Sequence, residues 1–526
     1  MRYTFIITER KPKDKARLST QMQKLISKTT FLEFLYCPKN IWLKLHKPEL
    51  LNKFELSEFE KHLLEQGNEV EKCAKNLFPN GVEVTSTGEE ACEKTARLMK
   101  LKTQYIFQAT FIVDGFIARN DVLGYNSSTD SWDIYEIKGT NSLKDSESKE
   151  RNHVDDLAFQ TAVLKRANIK VGSSFLIHLN KEYIRSGELD IKALFTIENI
   201  TETISEKLEH INELMEGAKE YLNQTEEPSI GCDCHFKGRS NHCATFEHSH
   251  PEIPPYSIHD LSRIGQGKKK LPFLVENKIY NLEDVPHDFE LSNDQKNQLR
   301  AYLDKKPLIN LEGIREEISS LPYPLYFFDY EAYAPAIPAF SGYHPYNFIP
   351  FQFSLHILNE PNGELEHIEF LHTKMSDPSE EVVKLLEKYI DPKGTIIVWY
   401  RPFEESHINK KIAERLPEHK DIIARINNQI YDLRDVFTKQ HFVHPDFKGK
   451  TSIKKVLPVL TPEHQYKDLV INEGGQASEE WWKMVSGSVD AKEQEEIAKN
   501  LKIYCGLDTY AMYAIWRYLY KILKDF

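Results

Sequence analysis

The chain has 526 residues, 40% of them hydrophobic and 11% aromatic, with a formal net charge of −12 at pH 7. That length exceeds one compact core and predicts roughly three to four domains, while the composition excludes large-scale disorder. The negative balance excludes a protein that coats nucleic acid through a uniformly basic surface, but not an enzyme whose carboxylates sit beside local basic patches.

The first ten residues carry only a very short apolar stretch, followed by Lys11, Lys13, Lys15 and Arg17, which is not the pattern of a signal peptide. No apolar run reaches the ~18 residues that a membrane helix requires. The expected compartment is therefore the cytoplasm, with no membrane partner. Seven cysteines, an odd number without an export signal, argue against a disulfide framework. Basic patches are offered by Lys268-Lys269-Lys270 and by Lys448, Lys450, Lys454 and Lys455, each of which also reads as a solvated face.

In chain order, the first chemical signature is Asp121, then Glu136-Ile137-Lys138. Residues 107–122 read as strand-like around a turn at Asp114-Gly115, and 132–137 as another strand after the polar turn 126–130. The hairpin brings Asp121 near Glu136, and period-two geometry projects Glu136 and Lys138 from one face. Two carboxylates and the carbonyl of Ile137 suit a hard divalent cation, Mg²⁺ or Mn²⁺. The lysine would orient or deprotonate an attacking water. Asp155 and Asp156 open an amphipathic helix on which Gln160 falls where an active-site glutamine is expected.

Cys37, in Tyr36-Cys37-Pro38, is answered by Cys232, Cys234 and Cys243. One early and three late thiols close on a single [4Fe–4S] cluster or on a tetrahedral Zn²⁺. Cys73, Cys92 and Cys505 lack such partners and read as packed or free thiols.

Leu35-Tyr36-Cys37-Pro38, Gly67-Asn68-Glu69-Val70, Leu77-Phe78-Pro79-Asn80-Gly81, Asp121-Val122-Leu123, Glu136-Ile137-Lys138 and Ala158-Phe159-Gln160 resemble the RecB-like PD-(D/E)XK nucleases. The nearest branch is the iron–sulfur exonucleases of CRISPR adaptation and AddB-type recombination. The resemblance implies Asp121, Glu136 and Lys138 as catalytic residues and the four cysteines as cluster ligands. Such families often place a histidine on the first helix, where this chain has Glu69 and Glu71. They often have tyrosine where Leu164 stands.

Pro251, Pro254 and Pro255 mark a boundary. Beyond it, short helices around Gly265 resemble a helix-hairpin-helix module; a plain helical linker is the competing reading. Residues 325–331 then form an apolar strand ending in Asp329 and Glu331, both on one face. A second buried strand, 395–400, runs into Glu404, the expected third ligand, with Asp432 as the other candidate. Tyr504 and Asp508 share a face of a helix over 497–519. The aspartate would complete a two-metal carboxylate site, and the tyrosine would position water.

Pro335-Ala336-Ile337-Pro338, Ile349-Pro350-Phe351-Gln352, Ser452-Ile453-Lys454-Lys455 and residues 504–512 resemble a bacterial domain of unknown function with a ribonuclease-H-like fold. That resemblance implies a DEDD-type exonuclease, with Glu404 replacing the usual aspartate. The expected architecture is α/β throughout. A PD-(D/E)XK domain spans 1–250, a small helical module 251–320, and a ribonuclease-H-like domain 321–526. The expected activity is metal-dependent cleavage of DNA strands or ends. RNA trimming by the second half, or a catalytically silent nucleic-acid-binding adaptor, are the alternatives. No Gly-x(4)-Gly-Lys-Ser/Thr loop is present, so ATP-driven unwinding would fall to a partner helicase; repair and phage defence are both expected settings.

Overall fold

Two mixed sheets organise the chain, and runs of β-branched and aromatic residues set their strands. The structure is a computed structural model that describes residues 25–51, 58–141, 153–267, 269–467 and 469–525, without the side chains of 58–60 and 62. The basic N-terminal stretch and Lys268 lie outside the described residues.

The first sheet begins with β1 (Ile26–Ser27), followed by α1 (Lys28–Tyr36), α2 (Pro38–His46), α3 (Glu58–Ala74), β2 (Val82–Glu83) and α4 (Gly88–Lys100). An antiparallel meander comes next: β3 (Tyr105–Val113), β4 (Phe116–Asn126) and β5 (Ser131–Lys138). Its first turn is the expected one. Asp114 and Gly115 have φ of 52° and 88°, the left-handed pair that matches the twist of a tight hairpin. Helix α5 (His153–Arg166) then crosses to β6 (Val171–Leu179), parallel to β5, and α6 (Ile191–Leu194), β7 (Phe195–Asn199) and α7 (Thr201–Leu222) complete the unit. The strand order is β2-β3-β4-β5-β6-β7, with β1 parallel beside β4.

Helix α5 differs from the amphipathic expectation. Asp156 through Leu164 are all buried, because α5 packs against both the sheet and α7. At α1–α2 the sequence logic is direct. Pro38 occupies the first position of α2, and Cys37 before it is extended, at φ −157° and ψ 95°, as a residue preceding proline prefers. The thiol is thereby fixed at the elbow between two helices.

The middle contains α8 (Phe246–Ser249), α9 (Lys270–Glu276), α10 (Asn293–Asp304), β8 (Leu308–Ile309) and α11 (Leu311–Ile318). Gly265 sits, exposed, in a single 3-10 turn. A Cβ there would lie 2.5 Å from the Gly238 nitrogen, so glycine is required for this loop to press on the cysteine segment.

The second sheet holds β9 (Leu325–Tyr333), β10 (Ile349–Leu358) and β11 (Leu365–Leu371), then α12 (Ser379–Tyr389), β12 (Thr395–Val398), α13 (Lys410–Arg415), α14 (Lys420–Gln429) and β13 (Ile430–Asp432). The chain closes with α15 (Asp435–Thr438), β14 (Phe442–Val443), α16 (Ile453–Leu460), α17 (Gly474–Ser486) and α18 (Ala491–Asp525). The order is β11-β10-β9-β12-β13. The first three strands are antiparallel, and β12 and β13 extend the sheet in parallel. Phe327, Phe351, Trp481 and Trp516 fill the core on one face; Phe328, Phe353, Val383 and Ile423 fill the other. The whole is a mixed α/β structure.

The β9–β10 connection leaves the second sheet and docks on the first unit. Ala336 is buried with Val70 and Ile137. Gln66 on α3 donates to the Ala334 carbonyl at 3.3 Å and accepts from the Ala336 N–H at 3.2 Å. Tyr346 Oη donates to the carbonyl of Gly139, next to Lys138.

Two candidate active centres and a four-cysteine site

The first candidate centre forms where β4 and β5 meet the N-termini of α1 and α5. Lys138 Nζ lies 2.7 Å from Glu136 Oε1 and 2.5 Å from Asp156 Oδ2. Gln160 donates to Glu136 Oε2 at 2.7 Å and to Asp156 Oδ1 at 2.8 Å, and its own oxygen accepts from Asn120 at 2.7 Å. Asp121 accepts the Ile137 N–H at 2.9 Å, while Ile137 turns its side chain into the core. The structure thus brings together Asp121, Glu136, Ile137, Lys138 and Gln160.

Two participants were not singled out in the sequence. Lys28, the first residue of α1, reaches Glu136 Oε1 at 2.6 Å and Asp156 at 3.7 Å. Asp156 is itself a full partner rather than only a helix-opening residue. A Ser-Lys pair at a helix start was the available signal for Lys28: Ser27 caps α1 by accepting from Thr30 N, which fixes where the next side chain begins.

Electrostatics follow from this packing. Burial, reinforced by Glu136, pushes Asp121 up to about 7. Burial also opposes ionisation of Glu136, but Lys138 and Lys28 outweigh it and hold that carboxyl below the usual range. Of Glu69 and Glu71 on α3, Glu71 accepts from Gln108 at 2.6 Å and lies near enough to raise Asp121. Gln108 has φ 56°, a left-handed conformation that costs an ordinary side chain free energy. A cavity of about 550 Å³ opens beside Lys28, Lys138 and Asp156 and extends to Cys243. The carboxylate set suits a hard divalent cation.

The second candidate centre lies at the end of β9. Asp329 and Glu331 have carboxylate oxygens within 4.8 Å of each other and of Cys505 Sγ. Asp508 joins them from α18, held by Tyr466 Oη at 2.6 Å. Burial, with repulsion from Asp508, raises Asp329 and Glu331 well above ordinary values, and burial lifts Asp508 to about 6. Lys454 approaches Tyr504 Oη at 3.3 Å.

One sequence expectation is corrected here and another extended. Lys454 points into this centre and Lys448 lies over the Tyr256 ring, so the four-lysine stretch is not one outward patch. Cys505 is a free, buried thiol as expected, but it also borders the carboxylates. Tyr466 was missed because it lies in an irregular loop without a spacing signal.

Glu404 and Asp432 differ in their hydrogen bonding. Asp432 accepts main-chain N–H groups from Arg401 at 3.0 Å and Arg434 at 3.1 Å. Glu404 is 2% exposed, and its Oε2 has no hydrogen-bond partner. Burial pushes Glu404 up to about 8. A buried, unpaired carboxylate oxygen beside other carboxylates is the environment a cation satisfies.

The four cysteines converge as expected. Cys37, Cys232, Cys234 and Cys243 are all buried, with sulfurs within 4.8 Å of one another, and Cys232 and Cys243 stand 3.7 Å apart. Hydrogen bonds from Cys234, Cys243 and Cys37 hold the Cys232 thiol far below its ordinary value, and His235 and His250 both contact the Cys232 carbonyl. The set fits a metal ion or an iron–sulfur cluster. It ties α1–α2 to a distant loop, a link reinforced by Asn40 accepting from Thr245.

Residues 326–452 match the model of a family described as Domain of unknown function (DUF2779). The uncharacterized protein UU173 of Ureaplasma parvum is 27% identical over 220 residues, 38% of this chain and 31% of that protein. The uncharacterized MG366 homolog of Mycoplasma pneumoniae is 24% identical over 246 residues, 43% of this chain and 36% of that protein. The matched part spans about a third of the length of these curated relatives. An alkaline exonuclease from Laribacter hongkongensis superposes at a TM-score of 0.21 with 13% identity, over 38% of this chain and 91% of that one. Among the described residues, no helix is long and apolar enough to cross a membrane.

Proposed function

We propose that this chain is a metal-dependent nuclease with two centres, acting on DNA strands or ends. The observation that carries the proposal is the convergence of the half-buried Asp329 with the buried Glu331, Glu404 and Asp508, from three separate elements. Burying carboxylates side by side is costly unless cations bind them. The strand order supports a ribonuclease-H-like reading of this half: the acid-bearing β9 is central, with an antiparallel hairpin on one side and parallel strands on the other. The β4–β5 meander, the α5 crossover and parallel β6 support a PD-(D/E)XK reading of the first half.

In the second centre, Asp329, Glu331, Glu404 and Asp508 would hold divalent cations, which lower the pKa of water and neutralise the leaving oxygen. Tyr466 fixes the Asp508 carboxylate. Tyr504, kept a neutral phenol by burial, can donate to or orient water at the same place. In the first centre, Asp121 and Glu136 would hold the cation. Lys138 and Lys28 lie where a phosphate oxygen can be neutralised.

For the four thiols we propose a [4Fe–4S] cluster, on the resemblance of the flanking segments to iron–sulfur exonucleases; the sulfurs, within 4.8 Å of one another, would spread apart to take it. A single tetrahedral Zn²⁺ is the second reading, favoured by the 3.7 Å Cys232–Cys243 spacing, close to the edge of a tetrahedron with ~2.3 Å metal–sulfur bonds. Iron, sulfide and zinc analysis of anaerobically purified protein separates the two. We further propose a cytoplasmic setting in repair or phage defence, with unwinding supplied by a partner helicase.

The direct test is an assay on end-labelled single- and double-stranded DNA and RNA with Mn²⁺, comparing wild type with Lys138→Ala and Asp508→Ala. Each variant is expected to lose a distinct set of products. Intact substrates with wild-type protein, together with tight salt-sensitive binding, would instead establish a binding adaptor.

A further inference from the structure

The second centre contains a thiol that a carboxylate motif does not require. Cys505 is fully buried, and its sulfur lies within 4.8 Å of one carboxylate oxygen of Asp329 and one of Glu331, which are equally close to each other. A tetrahedral ion with bonds of about 2.3 Å to sulfur and about 2.1 Å to oxygen holds its ligand atoms roughly 3.5 Å apart. The three atoms therefore reach one ion with small side-chain movements. Helix geometry explains the placement, since Cys505 and Asp508 are i and i+3 on α18 and share a face.

A packing role is the ordinary explanation for a buried cysteine. It predicts apolar neighbours around the sulfur. Here the sulfur borders carboxylate oxygens of Asp329 and Glu331 and donates to the main-chain carbonyl of Asp329 at 3.9 Å. A second observation points the same way: Glu404 is almost fully buried, its Oε2 has no hydrogen-bond partner, and its charge is felt by Asp329. Glu404 thus adds an unsatisfied acceptor near Asp329.

We infer that Cys505 is a ligand of the second centre, making it a mixed carboxylate–thiolate site for a borderline ion of the Zn²⁺ or Co²⁺ class in preference to Mg²⁺. The inference rests on reading this centre as a metal site. Soft thiolate selects such ions, whereas an all-oxygen site suits Mg²⁺ and Mn²⁺. Binding replaces the S–H bond by a metal–sulfur bond and releases that proton to solvent.

The test uses the full chain, purified with its four-cysteine site filled. Co²⁺ is titrated into wild type, Cys505→Ser, Cys505→Ala and Glu331→Gln while sulfur-to-cobalt charge-transfer absorption is followed. Zn²⁺ and Mg²⁺ affinities are measured by calorimetry. Wild type is expected to show the band. Both cysteine variants lose it, and Glu331→Gln, which keeps the thiol, weakens it. Zn²⁺ affinity falls by at least about tenfold in Cys505→Ser, since losing a direct ligand costs no less than losing a supporting residue, while Mg²⁺ affinity is unchanged.

An identical band and Zn²⁺ affinity in wild type and Cys505→Ser would overturn the inference. An unchanged band in Glu331→Gln would also overturn it, by placing the responsible sulfur elsewhere. These readouts do not depend on turnover. A cysteine-dependent band in a protein that cuts no substrate would sustain the ligand assignment and defeat the nuclease reading.

Discussion

Lys28 Nζ lies 2.6 Å from Glu136 Oε1, joining the first residue of α1 to the strand that carries the Glu-x-Lys motif. The first centre therefore has two lysines around one carboxylate. Removing one positioned charge from such a site typically costs on the order of 10²-fold in rate. Lys28→Ala should reduce the product set assigned to the first centre by about that factor and leave the other set intact. Lys28→Arg should retain more activity than Lys28→Ala. Equal product yields from Lys28→Ala and wild type would remove Lys28 from the mechanism.

Glu404 and Asp432 make opposite predictions. Glu404→Gln should abolish the products of the second centre with little change in melting temperature, because its free oxygen stabilises nothing in the fold. Asp432→Asn should lower the melting temperature, since it weakens acceptance from the Arg401 and Arg434 N–H groups, and should spare most activity. Kinetics and calorimetry on the two variants check the assignment; the reversed pattern would make Asp432 the ligand.

Much of this was legible in the sequence because the relevant signals are local. Asp329 and Glu331 sit two residues apart on a strand, Glu136 and Lys138 likewise, and Tyr504 and Asp508 lie four apart on a helix. Each spacing fixes a shared face. The Asp114-Gly115 turn was equally readable from residues that tolerate positive φ. What could not be read depends on tertiary approach. Lys28 meets Glu136 across 108 residues, Tyr466 meets Asp508 from a loop, and Cys505 borders the acids only once α18 docks on β9. The burial of α5 on nearly all faces depends on α7 covering its outer side, which no periodicity within α5 reports.

Acidification should destabilise the segment that covers the cysteine loop. His259 is 2% exposed, and burial lowers its pKa from 6.5 to about 4. The unfolded chain therefore takes up this proton first as pH falls. The stabilisation is fully present above pH 6.5 and is lost progressively towards pH 4, amounting to ~3 kcal/mol across the window. His259→Gln should flatten the fall in melting temperature between pH 6.5 and 4 relative to wild type. Parallel curves for the two proteins would show that His259 does not contribute.

Gln66 joins the two halves by bonding both ways to the β9–β10 loop, at Ala334 and Ala336. Gln66→Ala leaves a main-chain donor and acceptor in a buried interface, at a cost of about 1–3 kcal/mol. Denaturant unfolding should show that loss. Hydrogen exchange should rise selectively in residues 334–347. Unchanged exchange there would mean that the loop is held by its other contacts alone.

The central claim is that two carboxylate centres cut phosphodiester bonds in one chain, and the double variant Glu136→Ala, Asp329→Ala tests it most directly. On end-labelled DNA and RNA with divalent metal, each single variant should retain the products of the other centre, and the double variant should leave every substrate intact. Cleavage by the double variant at the wild-type rate would contradict the account.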